Sequence, residues 1–201
     1  ATSVAFPLTV IAMAFTFAIG DGAAAFLSIC QGRKDSRNAH KAVGNSLLIN
    51  LILSAIFMVV CFVFMDPLLR IFGASDSTIN LAHDYFVIIL AFIPAFTTGN
   101  ILNSIIRADG QPAFAMVQTL AGAITNIILD PIFIFVLHWG IKGAAWATII
   151  GQVLTLVIGL TYILRSKTFR LEKSSFKLNL QVFRNFYFYY ANCRSNHYFS
   201  G

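Results

Sequence analysis

Residues 113–138 read AFAMVQTLAGAITNIILDPIFIFVLH, an apolar run that carries a single charged side chain, Asp130. A helix needs about 20 apolar residues to cross the hydrocarbon core of a bilayer, and this run exceeds that length. A membrane-spanning strand would be about half as long and would alternate polar with apolar positions. The run therefore predicts a transmembrane α-helix.

The rest of the chain repeats this pattern in four further apolar segments, at residues 4–29, 42–65, 82–106 and 143–164. Hydrophobic residues make up 58% of the 201 residues and charged residues only 11%, whereas a soluble domain has about 25% charged residues. Together the segments predict an all-α fold over residues 1–165, a polytopic transmembrane helix bundle of about five spanning helices in the lipid bilayer. Pro94 and Pro131 lie inside segments and predict kinks.

The charges in the loops differ between the two ends of the predicted bundle. Basic residues are concentrated after the first, third and fifth segments, at Arg33, Lys34, Arg37, Lys41, Arg107, Arg165, Lys167, Arg170, Lys173 and Lys177. The loops at the other end carry only Arg70 and Lys142. Because basic loops stay in the cytoplasm, we predict cytoplasmic basic loops in a multi-pass protein of a prokaryotic plasma membrane. This placement explains the net charge of +6 without nucleic acid as a partner.

The residues after the fifth segment have a different character. Residues 166–186 are basic and moderately amphipathic, which fits a helix or linker lying on the cytoplasmic surface and equally fits a solvated linker. Residues 187–201 combine aromatic residues with Asn, Arg and His without any period. We interpret them as a truncated or frame-shifted end, and the alternative is a genuine short tail.

The sequence contains no motif of an enzyme or a metalloprotein. Its three cysteines, Cys30, Cys61 and Cys193, are scattered, and their spacing fits neither a disulfide framework nor a metal site. No nucleophile elbow, P-loop or dinucleotide-binding fingerprint occurs. We therefore expect neither enzymatic activity nor a cofactor.

Polar and small residues recur every third or fourth position within the apolar segments and so share one helix face. The stripe in the fourth segment consists of Gln118, Gly122, Asn126 and Asp130. Such stripes either pack helices together, since small residues let helices approach closely, or line a water-filled cavity. The candidate cavity-lining residues are Gln118, Thr148, Gln152 and Asn100.

Asp130 has the strongest physical reason to be functional. A charged Asp at the centre of a spanning helix costs about 2.5–3.5 kcal/mol on insertion scales. Protonation or a bound cation removes this cost, and Asn126, one turn earlier on the same face, has an amide oxygen that also binds cations. We predict a cation- or proton-binding site at Asp130 and Asn126, with Na⁺ as the only metal ion. In the alternative, Asp130 caps the break at Pro131 or bonds a neighbouring helix.

Two further charged residues lie near the predicted cytoplasmic ends of their segments, Asp21 between Gly20 and Gly22, and Arg107 at the end of the third segment. We expect Asp21 to pair with Arg33 or Arg107, or to hold a gate. A structural role is the simpler explanation, because a paired charge near a helix end needs no transported ligand.

Four stretches stand out as motifs. They are Gly20-Asp21-Gly22 with Gln31-Gly32-Arg33-Lys34-Asp35, Asp84-Tyr85, Arg107-Ala108-Asp109-Gly110-Gln111-Pro112, and Asn126-Ile127-Ile128-Leu129-Asp130-Pro131 followed by Ile132-Phe133-Ile134-Phe135 and Gly140 to Ala147. Together they resemble the multidrug and toxic compound extrusion (MATE) family over about residues 1–186, and the last stretch is the most specific. The resemblance implies twelve helices in two six-helix lobes around a central cleft. This chain would supply helices two to six and the inter-lobe linker, without the first helix or the second lobe.

The resemblance also implies an activity, the export of amphipathic or cationic small organic compounds in exchange for Na⁺ or H⁺. In the family, the Asn and Asp of the fifth helix belong to a cation or proton site of the amino-terminal lobe, which carries over to Asn126 and Asp130. Two alternatives stay open. One is a lipid-linked precursor flippase of related architecture, which would need a strongly basic cavity, and the other is a non-transporting membrane fragment or assembly subunit.

Overall fold

The computed structural model describes residues 2–72 and 79–166, and every regular element within these residues is helical. The helices are α1 (Thr2–Gly32), α2 (Ser36–Val63), α3 (Met65–Ile71), α4 (Ile79–Ala91), α5 (Ile93–Ala108), α6 (Pro112–Pro131) and α7 (Gly140–Arg165), with a π-helical turn (Ile132–Val136) directly after α6. The predicted all-α helix bundle is confirmed. Apart from Ser166, the predicted linker at 166–186 and the predicted tail at 187–201 lie outside the described residues.

Four spans of the described chain are long and apolar enough to cross a membrane without a sharp bend, at Thr9–Gly32, Asn38–Val63, Pro112–Val136 and Gly140–Arg165. Helices α4 and α5 pass the same test only as a pair, bent by 52° at the break between Ala91 and Ile93, which fits a broken fifth span or a re-entrant loop. The predicted segment at 82–106 therefore consists of two helices. Pro94 explains the break, because proline lacks the N–H group and its ring clashes with the carbonyl four residues earlier.

Helix α5 lies at the centre of the bundle and packs against α1, α2, α6 and α7. Its buried residues Ile101, Leu102 and Ile105 join Leu27 of α1 and Ile163 of α7 in one apolar core cluster. The outward faces of α2 and α6 instead expose many large apolar side chains. This distribution is expected where lipid, not water, surrounds the helices.

We name the two ends of the bundle by their loops. The basic end contains the α1–α2 loop, the α5–α6 turn and the end of α7, and the opposite end contains α3 and the start of α4 and of α7. At the basic end, Asp109 of the α5–α6 turn accepts hydrogen bonds from Nε2 of Gln31 at 3.0 Å and from the hydroxyl of Tyr162 at 2.6 Å. Gly110 follows with φ +79°, which glycine adopts without strain. The turn between α5 and α6 is thereby bonded to both α1 and α7.

Candidate functional site

Asp130 lies in the last turn of α6, directly before Pro131 and the π-helical turn. Its carboxylate oxygen Oδ1 is buried and has no hydrogen-bond partner among the described residues. An unpaired buried acceptor costs about 1–3 kcal/mol, and more when the group is charged. A proton or a cation at this oxygen would remove that cost.

Asn126, one turn before Asp130, reaches across to α7. Its Nδ2 donates to Oγ1 of Thr148 at 3.3 Å, and Thr148 donates to the carbonyl oxygen of Ala144 in its own helix at 3.0 Å. These two bonds orient the amide of Asn126 and leave Oδ1 as its acceptor atom. Carboxylate, amide and hydroxyl oxygens are the ligands that hard cations prefer. Asp130, Asn126 and Thr148 carry oxygen atoms of these kinds, and a cation site at Asp130 and Asn126 stays a prediction.

Tyr85 of α4 joins this group from a third helix. Its phenol lies beside Thr148 and within electrostatic range of the carboxylate of Asp130. Sequence reasoning did not identify Tyr85 as a site residue, although the motif Asp84-Tyr85 was noted. The position of Tyr85 inside an apolar segment is the feature of the sequence that indicates a polar contact, since a buried tyrosine hydroxyl usually finds a polar partner.

A cavity of about 230 Å³ lies beside this group, between α1, α4, α5 and α7. Its polar lining residues are Thr9, Tyr85, Thr148 and Gln152. Its apolar lining includes Met13, Phe92 and Phe96. Of the four candidate cavity-lining residues, the structure thus places Thr148 and Gln152 on this cavity.

The other two candidates have different surroundings. Gln118 is fully buried and lies between helices, where its Nε2 donates to the carbonyl oxygens of Thr155 at 2.9 Å and Gly99 at 3.3 Å. The side chain of Gln118 thus joins α6 to α5 and α7, and its role in lining a cavity stays a prediction. Asn100 donates to the carbonyl oxygen of Phe96 in its own helix at 2.9 Å and is absent from the lining of this cavity.

Asp21 and Arg107 are brought together at the basic half of the bundle. Their nearest atoms, Oδ1 and a guanidinium nitrogen, are 3.6 Å apart, and both side chains are 52% exposed. Ser104 bridges them, because its hydroxyl accepts from Arg107 at 2.9 Å and donates to Asp21 at 3.1 Å. Of the partners considered for Asp21, the structure thus provides Arg107. A role of this pair in gating stays a prediction.

Comparison with known proteins decides the family. A family model described as MatE matches residues 1–132. The chain belongs to the MatE family. This confirms the resemblance drawn from the four motifs.

Relatives of this MatE chain include the "Multidrug export protein MepA" of Staphylococcus haemolyticus (strain JCSC1435), which is 33% identical over 82% of the chain and 36% of the relative. The "FAD transporter" of Shewanella oneidensis is 30% identical over 89% of the chain and 40% of the relative. A solved structure described as the "Inward-facing conformation of a multidrug resistance MATE family transporter of the MOP superfamily" superposes with a TM-score of 0.87 at 26% identity, covering 92% of the chain and 42% of that structure. The chain thus spans about two fifths of the length of these proteins.

Gln118 allows a test of helix packing in this MatE chain. Replacing Gln118 with Leu removes its bonds to Asn103, Gly99 and Thr155, at about 0.6 kcal/mol for each bond inside a membrane. We expect the free energy of unfolding of the full-length protein to fall by about 1–2 kcal/mol, measured by thermal unfolding in detergent. Ser28→Ala is the control, because Ser28 is exposed and bonds a carbonyl of its own helix. Equal stability of both variants would contradict the packing role.

Proposed function

We propose that this chain is part of a membrane antiporter that exports amphipathic or cationic organic compounds in exchange for Na⁺ or H⁺, with Asp130 as the ion-coupling residue. The observation that carries the proposal is the buried oxygen of Asp130, which has no hydrogen-bond partner in residues 2–72 and 79–166 and lies one turn after Asn126. The names of the relatives, a multidrug export protein and a transporter, support the transport activity.

The proposed ion site follows from the chemistry of its side chains. In one state Asp130 is protonated and neutral, and in the other it is ionised and binds a cation together with oxygen atoms of Asn126 and Thr148. An ion drives the transporter only if it binds the two conformations with different affinity. Each positive charge that enters across 100 mV supplies about 2.3 kcal/mol. Tyr85 and the cavity beside it connect this ion site to the space between the helices.

The substrate class follows from the cavity. Phe92, Phe96 and Tyr85 offer aromatic surface, and Gln152 offers an amide group. This combination fits a flat organic compound with an apolar body and a few polar groups. The flippase alternative is less well supported, because none of the residues that line this cavity is Lys or Arg.

The proposed setting is the plasma membrane of a prokaryotic cell, with the basic end in the cytoplasm. The positive-inside rule supports this orientation, which places Asp130 in the outer half of the bilayer. Relatives more than twice as long as the chain support the proposal that a second lobe completes the substrate pathway.

Transport in proteoliposomes tests this function. The full-length protein is reconstituted, and efflux of ethidium, an aromatic cation, is followed while either a Na⁺ gradient or a pH gradient is imposed. We expect efflux with at least one of the two gradients and its loss when an ionophore collapses that gradient. Absence of efflux with both gradients, for ethidium and for a flavin substrate, would favour the non-transporting alternative.

A further inference from the structure

Two neighbouring residues of α4 make separate contacts with α7. The carboxylate of Asp84 forms an ion pair with Nζ of Lys142 at 3.0 Å, and Tyr85 lies beside Thr148 in the lining of the same cavity. Lys142 and Thr148 are six residues apart, which is about 9 Å along a helix. Helix α4 is therefore attached to α7 at two levels, once at the opposite end of the bundle and once beside Asp130.

The helical hydrogen bonding is also interrupted between α4 and α5. The N–H of Phe92 bonds the carbonyl oxygen of Ile89, three residues back, at 3.1 Å, and α5 begins at Ile93 after the 52° bend. Phe92 packs edge-on against Trp146 of α7, with the ring centroids 6.2 Å apart. Because the helical hydrogen bonding changes at this point, α4 has a place about which it can turn without unwinding either helix.

The position of α4 matters because it forms one wall of the cavity beside the Asp130 site. Tyr85 and Ile89 of α4, and Phe92 at the break between α4 and α5, line this cavity together with Met13 of α1. Moving α4 away from α7 would separate Tyr85 from Thr148 and widen the cavity that they both line. The contacts between α4 and α7 therefore hold this wall of the cavity in place.

We propose that Asp84 and Lys142 are positioning residues for the Asp130 site, and that their ion pair latches α4 over the cavity while the outer pathway is closed. The assignment to ion coupling rests on the function proposed above for Asp130. The side chains of Asp84 and Lys142 are 47% and 59% exposed, and an ion pair of such exposure contributes modestly. Such an ion pair breaks easily. Its loss changes the equilibrium between the closed and open positions of α4 about twofold to fivefold.

The labelling rate of a cysteine in the cavity tests whether the ion pair between Asp84 and Lys142 holds α4 over the cavity. Met13→Cys is introduced into full-length protein lacking its native cysteines, and a membrane-impermeant maleimide is added on the side of the opposite end. Asp84→Asn and Lys142→Gln are each expected to raise the labelling rate about twofold to fivefold. The charge-swapped double variant, Asp84→Lys with Lys142→Asp, is expected to return the rate towards that of the parent.

Asp66→Asn is the matched control, because Asp66 is exposed at the same end but belongs to α3. We expect it to leave the labelling rate unchanged. Unchanged labelling in both single variants would overturn the latch. A charge swap that labels as fast as the single variants would also overturn it.

A second readout separates a positioning role from a merely structural one. In transport assays, the single variants are expected to shift the concentration of driving cation that gives half-maximal efflux by the same twofold to fivefold, and the charge swap to reverse that shift. A fall in maximal rate alone, with no shift in that concentration, would overturn the positioning role. If labelling responds as expected while Asp130→Asn keeps normal ion-driven efflux, the latch stands and the function proposed for Asp130 fails.

Discussion

Replacing Asp130 with Asn in the full-length protein is expected to abolish ion-driven efflux, a loss of at least about tenfold, while the amount of protein in the membrane stays the same. Asn has nearly the same shape as Asp but neither ionises nor releases a proton. Oδ1 of Asp130 is buried and has no hydrogen-bond partner within the part of the chain that the structure describes, so the substitution breaks no hydrogen bond there, and the protein should fold normally. Efflux from proteoliposomes under an imposed gradient measures the effect.

Two comparisons make this prediction specific. Asp130→Glu keeps the ionisable group but moves it by one methylene, and we expect partial activity. Asp109→Asn changes an acid that is bonded by Gln31 and Tyr162 at the basic end, and we expect ion coupling to persist. Normal ion-driven efflux by Asp130→Asn would remove Asp130 from the mechanism.

The helices of the bundle could be predicted from the sequence because long apolar segments have few alternatives in a membrane. Within lipid every backbone N–H and C=O must be bonded inside the segment, and a helix achieves this over any length. The break at Phe92 is harder to locate, since the residues on both sides of it are equally apolar. Pro94 indicates that a kink exists, but the sequence does not give its angle, which is 52° in the structure.

The candidate site could be predicted only within one helix at a time. Spacing in the sequence places Asn126 and Asp130 on the same face of α6, but it does not reveal which helix lies opposite. Thr148 of α7 and Tyr85 of α4 complete the group through contacts between helices. Gln118 shares the helix face of Asn126 and Asp130, but it is fully buried because α5 and α7 cover it. Spacing within α6 does not reveal these neighbouring helices.

Helices α6 and α7 approach each other closely between Gln118 and Asn126. A Cβ atom at Gly151 of α7 would lie 2.7 Å from the carbonyl oxygen of Gly122 and 3.4 Å from Cβ of Asn126. A Cβ atom at Gly122 would in turn lie 2.9 Å from the carbonyl oxygen of Gly151. The hydroxyl of Thr155 lies closer still to the Cβ position of Gly122, and the two carbonyl contacts show that the backbones of α6 and α7 meet here directly. This contact sets the separation at which Asn126 reaches Thr148.

Gly151→Ala is therefore expected to destabilise the full-length protein by about 1–3 kcal/mol, the usual cost of overpacking, and to weaken ion-driven efflux by moving Asn126 away from Thr148. Thermal unfolding in detergent and efflux from proteoliposomes measure the two effects. Gly32→Ala is the matched control, because a Cβ atom there meets nothing within 4 Å and alanine favours a helix by up to about 1 kcal/mol over glycine. If both variants proved equally stable and equally active, α6 and α7 could not be in direct backbone contact at Gly122 and Gly151, and the geometry of the Asp130 site would need another support.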